Sequence, residues 1–336
     1  MPLPSGEPCV TACPVCLVTG PHDPYMVREM MFGSRETFQY LCCRACGTLR
    51  IAIVPGDLGR HYPERYHYGR LPDDVVPGSA LTRWLVGLVV TPDFTGRGRR
   101  LARLARRLVV PPPGYRRWKG SLLRWGVRSL AGGVLDVGPG PAPDRLVVLH
   151  ALGFRNLLGI DPFIAADLTV HGVRVRKQRI EEVSGRFDLV MFHHSFEHLP
   201  DPPASLRAAV ALLRPGGRIV IRLPVMGSAL WDRFGVDWWE LDAPRHLFLF
   251  SRAGLLGLAE SEGLRLVKVT EETSAKEFVG SEQYRRNLSM FEPGSWFVDP
   301  AASGFRSDEH AAFAEDARRA NEAARAGRAC FLFTKI

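Results

Sequence analysis

An open α/β sheet preceded by a small metal-stapled module is the fold class this sequence predicts, and three observations predict it. From Gly133 to Thr270 short apolar strands alternate with longer helical periods, the pattern of a parallel sheet flanked by helices. Six of the seven cysteines fall within the first 46 residues, two pairs of them as Cys-x-x-Cys. A chain of 336 residues suits one large domain plus a small one.

The first unit, residues 1–57, reads as short strands and turns around the cysteines, with Phe38–Leu41 and Thr48–Val54 extended. Cys13-Pro-Val-Cys16 and Cys43-Arg-Ala-Cys46-Gly each present two thiolates at the spacing of one tetrahedral zinc, with a glycine supporting the second turn. Cys13, Cys16, Cys43 and Cys46 are therefore the predicted ligands. Cys9 and Cys42 are spare, and Cys330 lies in an apolar strand. Four thiolates leave no open position on the metal, so this zinc serves folding or acceptor docking.

Residues 58–130 read as a helical, basic linker or lid. Leu81, Trp84, Leu85 and Leu88 mark one helix; Leu101, Leu104 and Leu108 mark a second, ended by Pro111-Pro-Pro-Gly. Between Phe94 and Leu135 there is no acidic residue, while Arg97, Arg99, Arg100, Arg103, Arg106, Arg107, Arg116, Arg117, Lys119, Arg124 and Arg128 are cationic. That segment holds the whole net charge of +9, leaving the rest nearly neutral and unlike a protein coated for nucleic acid.

From residue 131 onward, strands are expected at Val134–Val137, Leu157–Ile160, Val173–Lys177, Phe187–Phe192, Arg218–Leu223 and Leu264–Val269. Helices are expected near Asp144–Leu152, Pro203–Leu213 and Arg252–Glu262. An irregular insertion or lid, 271–328, carries a polar helix from about Ser307, and a last strand runs over 329–335.

The first of these strands turns into its helix through Gly133-Val-Leu-Asp136-Val-Gly138-Pro-Gly140-Pro-Ala. Gly138 and Gly140 can leave the usual backbone regions and let a ligand approach the main chain. Asp136 can bond amides of the loop or a ligand ammonium. The second strand ends in Asp161-Pro162-Phe163, placing a carboxylate to accept both ribose hydroxyls of an adenosine and a ring to lie against adenine. A dinucleotide fingerprint needs a third glycine at position 143, where this chain has Pro143.

These segments, with Phe187-Asp-Leu-Val-Met-Phe-His-His-Ser-Phe-Glu-His-Leu-Pro-Asp-Pro and Leu213-Arg-Pro-Gly-Gly-Arg-Ile-Val-Ile, resemble the class I S-adenosylmethionine-dependent methyltransferases in order and spacing from Gly133 to Val269. The resemblance implies a Rossmann-like, seven-stranded sheet closed by an antiparallel strand at 329–335, with an N-terminal zinc ribbon and helical lid segments. It implies S-adenosylmethionine as cofactor and S-adenosylhomocysteine as product. By the same likeness Ile180 and Glu181 contact the adenine, and His193 begins a segment lining the methionine end and the acceptor. Ala142 stands where the family has its last loop glycine. The ribbon, Tyr62-Pro-Glu-Arg-Tyr66 and Gly280-Ser-Glu-Gln-Tyr284 look like a bacterial subgroup of sugar C-methyltransferases and surface-polysaccharide or secondary-metabolite enzymes.

Methyl transfer is an in-line displacement, so the protein supplies alignment and, where needed, a base. His194, Glu197 and His198 at the end of the fourth strand, and His246 after the fifth, are the candidates. A bland alternative has His198 merely capping the next helix or bonding a backbone carbonyl, and a third has Glu197 and His198 ligate a metal with another side chain. Trp238 and Trp239 are candidate pocket walls, with Arg245 and His246 holding the polar end of an acceptor. The acceptor expected is a small molecule, a nucleotide- or lipid-linked sugar or related metabolite. The competing readings are an RNA methyltransferase gripping phosphates with the ribbon and arginines, with Tyr115, Trp118 and Trp125 stacking on bases, and a non-catalytic cofactor-binding protein. Residues 81–128 are also read as a peripheral membrane contact. With no basic start and no apolar run at the N-terminus, the reading is cytoplasmic.

Overall fold

The computed structural model describes residues 4–63, 80–90, 92–95, 98–110, 113–127 and 129–336. Tyr66, Arg97 and Arg128, and the side chains of Tyr115, Arg116 and Arg117, lie outside what it describes. The chain opens with four strands, β1 (Cys9–Ala12), β2 (Thr19–Arg28), β3 (Thr37–Cys43) and β4 (Leu49–Ile51), paired antiparallel in sequence order. Helices α1 (Ala80–Val90), α2 (Pro92–Thr95), α3 (Arg99–Leu108) and α4 (Pro113–Arg124) follow.

The α/β body then runs β5 (Val134–Val137), α5 (Asp144–Ala151), β6 (Leu157–Ile160), the short β7 (Leu168–Val170), β8 (Val173–Arg176), β9 (Phe187–His193), α6 (Pro202–Ala211) and β10 (Leu213–Met226). After α7 (Ala229–Phe234) come β11 (Phe248–Ser251), α8 (Arg252–Ser261), β12 (Leu264–Glu272), α9 (Ala275–Arg285), α10 (Ser307–Glu322) and β13 (Arg328–Lys335). Across the sheet the order is β7-β8-β6-β5-β9-β10-β13-β12. β8, β6, β5, β9 and β10 are parallel, and β13 enters antiparallel between β10 and β12. Order reverses between β5 and β9, which puts a crevice at their C-terminal ends, where open α/β sheets bind ligands.

Alternation along the strands divides the core. Leu135, Val137, Val190, Phe192, Ile219 and Ile221 face one layer, with Leu206 of α6, Leu255 of α8, Phe313 of α10 and the ribbon's Tyr25 and Tyr40. Val134, Leu189, Met191 and Val220 face the other, where Val86 of α1, Ala105 of α3, Leu122 of α4 and Leu146 of α5 pack. Both faces are covered, which is why these strands read as near-continuous apolar runs. Helix α6 starts where Asp201 accepts the Ala204 amide at 3.1 Å with prolines at its first positions, a cap typically contributing about 1 kcal/mol.

Two features depart from the expected plan. The N-terminal module is continuous with the large sheet: β4 pairs antiparallel with β11, whose other edge pairs parallel with the end of β10. The segment 271–328, expected as an irregular lid, contains α9, whose residues Glu277 to Tyr284 are all buried. Glu277, Ser281 and Gln283 find their partners within the protein. Glu277 takes bonds from Arg328 and Thr273, Ser281 Oγ donates to the Glu277 carbonyl at 2.7 Å, and Gln283 Nε2 donates to Ser289 O at 3.1 Å. A polar composition hid a helix that belongs to the body.

Candidate functional site

A cavity of about 1120 Å³ opens at the C-terminal ends of β5, β6 and β9. One end is the loop after β5. Gly138 has φ +75° and Gly140 φ +67°, and a Cβ at Gly138 would stand 2.6 Å from the Ser195 Cβ. Only glycine allows that approach without displacing the Ser195 turn. Ser195 is in turn fixed by its hydroxyl donating to Val137 O at 2.6 Å. Ala142 has no left-handed φ, so its methyl group is tolerated where the family has glycine. Asp161 accepts the Gly140 amide on one carboxylate oxygen (3.0 Å) and the Phe163 amide on the other (2.8 Å), leaving further lone pairs toward the cavity. Pro162, Phe163, Ile180, Glu181 and His193 line the same space. Phe163 is exposed and stacks on Tyr62 (5.7 Å between centroids, 10° between planes), and Glu181 accepts the Ser205 hydroxyl at 2.6 Å.

Asp136 corrects the expectation. It lies beneath the loop, off the cavity wall, fully buried, and accepts from Arg145 Nε at 3.0 Å and from none of the loop amides. Burial pushes its carboxyl pKa up, against the pull of Arg145. The loop amide that needs a carboxylate, at Gly140, takes the one on Asp161.

The other end of the cavity is built from histidines. His194 sits at φ +53°, an uncommon conformation for a residue with a Cβ that turns the chain sharply after β9. Glu197 is fully buried behind the wall, so it does not touch the cavity itself. His194 Nδ1 stands 3.5 Å and His246 Nε2 3.9 Å from its Oε1. Burial would raise its pKa, but His194, His246 and His198 outweigh that and hold the carboxyl below its ordinary value. Glu197 therefore stands behind His194 and His246, out of direct contact with the cavity.

His198 and His246 both line the cavity with their rings 4.7 Å apart. His198 Nδ1 meets Arg245 O at 2.8 Å and Tyr62 Oη at 3.2 Å, and His246 Nδ1 meets Glu240 O at 2.8 Å. A carbonyl only accepts, so both rings carry a proton on Nδ1, and a neutral ring then has its lone pair on Nε2. Burial, then the neighbouring His246, push His198 down to about 4, which keeps it neutral near pH 7. Burial also lowers His194, against Glu197.

The cluster 237–246 divides differently from the sequence reading. Trp239 and His246 line the cavity; Trp238 is fully buried away from it. Arg245 cannot hold an acceptor either. It is fully buried, donating to Asp242 Oδ1 (2.9 Å), Glu29 Oε1 (2.8 Å) and His61 O (3.1 Å), with its guanidinium 5.0 Å over the Phe32 ring. The residue following it lines the cavity, on a stretch of chain that turns repeatedly, with 3-10 turns on either side of Trp238. Sequence reasoning missed Ser195, Asp242 and Met31 as cavity residues. Nothing in residue type or spacing marks Met31, which arrives from the N-terminal module.

In that module the Cys13, Cys16, Cys43 and Cys46 sulfurs all lie within 4.8 Å of one another. The Cys13–Cys46 and Cys16–Cys43 pairs are each 3.8 Å apart, matching the edge of about 3.8 Å of a tetrahedron with 2.3 Å zinc–sulfur bonds. The two knuckles share one turn: Leu17 N donates to Cys13 O (2.8 Å) and Gly47 N to Cys43 O (2.7 Å), at φ +61° and +73°. Cys42 points away, its thiol 3.8 Å from Gly47 O, and Cys9 is exposed. Ser251 ties this module to the body, its hydroxyl donating to Cys46 O while capping α8 at the Gly254 amide (2.8 Å).

Among the described residues no helix is long and apolar enough to cross a membrane. Residues 99–269 match the family model described as a methyltransferase domain. A ubiquinone biosynthesis O-methyltransferase of Pseudomonas aeruginosa is 34% identical over 102 aligned positions, covering 26% of this chain and 42% of that protein. The chain thus spans less than half the length of the curated relatives it matches first. Among solved structures, a SAM-dependent methyltransferase from Archaeoglobus fulgidus aligns at a TM-score of 0.41 and 18% identity, over 66% of this chain and 94% of that one. The family match spans half of the sequence, and the chain belongs to the methyltransferase-domain family, with the class I S-adenosylmethionine-dependent methyltransferase fold.

Proposed function

We propose that the chain transfers a methyl group from S-adenosylmethionine to carbon or oxygen of a small acceptor, a nucleotide- or lipid-linked sugar or related metabolite. The observation carrying this reading is one continuous cavity with the glycine loop and Asp161 at one end and His194, His198 and His246 at the other. The loop fits the cofactor: it is a cradle that a Cβ at Gly138 would fill. Bound there, S-adenosylmethionine supplies an electrophilic methyl group and leaves as S-adenosylhomocysteine. Asp161 accepts the ribose hydroxyls, and Ile180 and Phe163 flank the base. At the histidine end, His246 Nε2 takes the proton from the acceptor hydroxyl or from carbon beside a carbonyl. The imidazolium so formed lies against the buried Glu197 carboxylate, which stabilises it. The four thiolates fit one closed, structural zinc, remote from this proton transfer.

Isothermal titration with S-adenosylmethionine tests the cofactor claim; the absence of both binding heat and a thermal shift would overturn it. For the base, His246→Ala is expected to bind cofactor normally while S-adenosylhomocysteine release with a sugar-nucleotide acceptor falls by about 100-fold or more. Full turnover in that variant would remove His246 from the chemistry.

A second reading has specific support. Glu197, His198 and His246 offer ligand atoms within 4.8 Å of one another, and both rings are tied at Nδ1 to carbonyls, as metal-bound histidines usually are. A divalent ion there would polarise an acceptor oxygen in place of the His246 proton transfer. Metal analysis of the purified chain decides it: one ion per chain, zinc only, leaves the base reading standing.

A further inference from the structure

Helix α3 is built inside out. Its sequence Arg99-Arg-Leu-Ala-Arg-Leu-Ala-Arg-Arg-Leu108 buries two alanines, Ala102 and Ala105, and turns its leucines to solvent. Leu101, Leu104 and Leu108 are 57%, 58% and 74% exposed, and at about 100° per residue they fall within roughly 60° of one another. One flank of this stripe is the alanine face on the core. The other is formed by Arg100, Arg103, Arg106 and Arg107, all exposed and without an ion-pair partner among the described residues. Helix α1, packed against α3, exposes Leu81 and Trp84 as well, and Val110 extends the set just past α3.

Helix stability does not explain this arrangement. Arg99 and Arg100 occupy the first turn, where the helix dipole favours carboxylates, and no acidic residue or side-chain cap is present there. Singly exposed leucines are ordinary on a protein surface; an aligned stripe of three beside four arginines with no ion-pair partner among the described residues is not. Apolar side chains beside a cationic flank match a surface that is negative outside and hydrocarbon beneath.

We propose that α1 and α3 form a docking face for an anionic lipid bilayer, with the leucines and Trp84 entering the headgroup boundary and the arginines meeting lipid phosphates. The face is separate from the cavity, so it stands whether or not the proposed methyl acceptor is correct. It holds the chain at a membrane surface without spanning it.

Vesicle co-sedimentation of the full chain tests this. With vesicles of 70% phosphatidylcholine and 30% phosphatidylglycerol the protein is expected to pellet, and with phosphatidylcholine alone to stay in solution. Raising sodium chloride from 0.1 to 0.5 M should release most of it. The triple variants L101Q/L104Q/L108Q and R103Q/R106Q/R107Q should each lower partitioning by about tenfold or more. All the substituted side chains are exposed, so melting temperature and cofactor binding should stay at wild-type values and separate lost docking from lost folding. No pelleting with anionic vesicles, equal pelleting with neutral ones, or leucine variants that bind undiminished would overturn the proposal. So would a wild-type dimer that the leucine variant splits, which assigns the face to a second copy. Salt-sensitive binding of single-stranded RNA without vesicle binding would assign it to nucleic acid.

Discussion

Replacing Arg245 with methionine removes a cation that bridges two buried carboxylates, Glu29 from the N-terminal module and Asp242 from the cavity wall. The two acids differ in what they retain. Glu29 keeps the amides of Phe32 (2.9 Å) and Ser34 (3.0 Å), so its charge stays partly solvated by backbone. Asp242 relies on Arg245: burial raises its pKa, and Arg245 is the main group holding it down. Breaking a buried pair by removing one partner typically costs 3–5 kcal/mol, and the amides on Glu29 place this case near the lower end, about 3 kcal/mol. For a chain of 336 residues, whose unfolding entropy is about 0.7 kcal/mol/K, that lowers the melting temperature by roughly 4 °C. Differential scanning calorimetry at pH 7.5 reads it. The triple variant E29Q/D242N/R245M, which removes the carboxylates too, should recover at least half of the loss. A single variant melting within about 1 °C of wild type, or a triple no better than the single, would refute the claim that this cluster clamps the module to the cavity wall.

Three further outcomes follow from the same structure. Gly138→Ala places a Cβ 2.6 Å from Ser195 in a left-handed conformation, so S-adenosylmethionine affinity by titration should fall about tenfold or more with the fold retained. Zinc removal by a strong chelator, or Cys16→Ser, should raise hydrogen exchange together at β3, β4 and β11, because β4 pairs with β11; exchange confined to residues 13–46 would contradict that coupling. Burial lifts the Glu240 carboxyl to about 8 from an ordinary 4.5, with Arg328 only partly opposing. The native state then holds a proton that the unfolded chain has lost, so stability falls as pH rises between those values, by at most about 1.4 kcal/mol per unit. Glu240→Gln removes that slope, and the variant should gain on wild type from pH 5 to 8 in thermal melts; a constant difference would contradict the assignment.

The body of the fold was legible because its strands are buried on both faces. Val134–Val137 and Leu157–Ile160 lie where their apolar runs put them. Strand β2 contains Pro21 and Pro24, residues that disfavour strands, and α9 buries the polar Glu277, Ser281, Glu282 and Gln283, which find partners both within the helix and outside it. At the site, residue type identified His194, His198 and His246 as a group with Glu197. It could not tell that Glu197 stands behind them, or that Arg245 turns inward while His246 turns out. Those distinctions depend on which way a turn faces, and the turns here are set by contacts with residues about 200 positions away.

The pairing of β4 with β11 also sets an order of events during synthesis. Leu49 meets Leu249, about 200 residues later in the chain. At typical translation rates of about 5–20 residues per second, the N-terminal module leaves the ribosome some 10–40 seconds before its partner strand exists. Its knuckles can gather zinc at once, since all four thiols are local to residues 13–46. Its edge cannot close, and an unpaired edge is an aggregation hazard. In the nascent chain, early metal capture is then a holding device, keeping a small exposed sheet ordered until the rest of its sheet has been made.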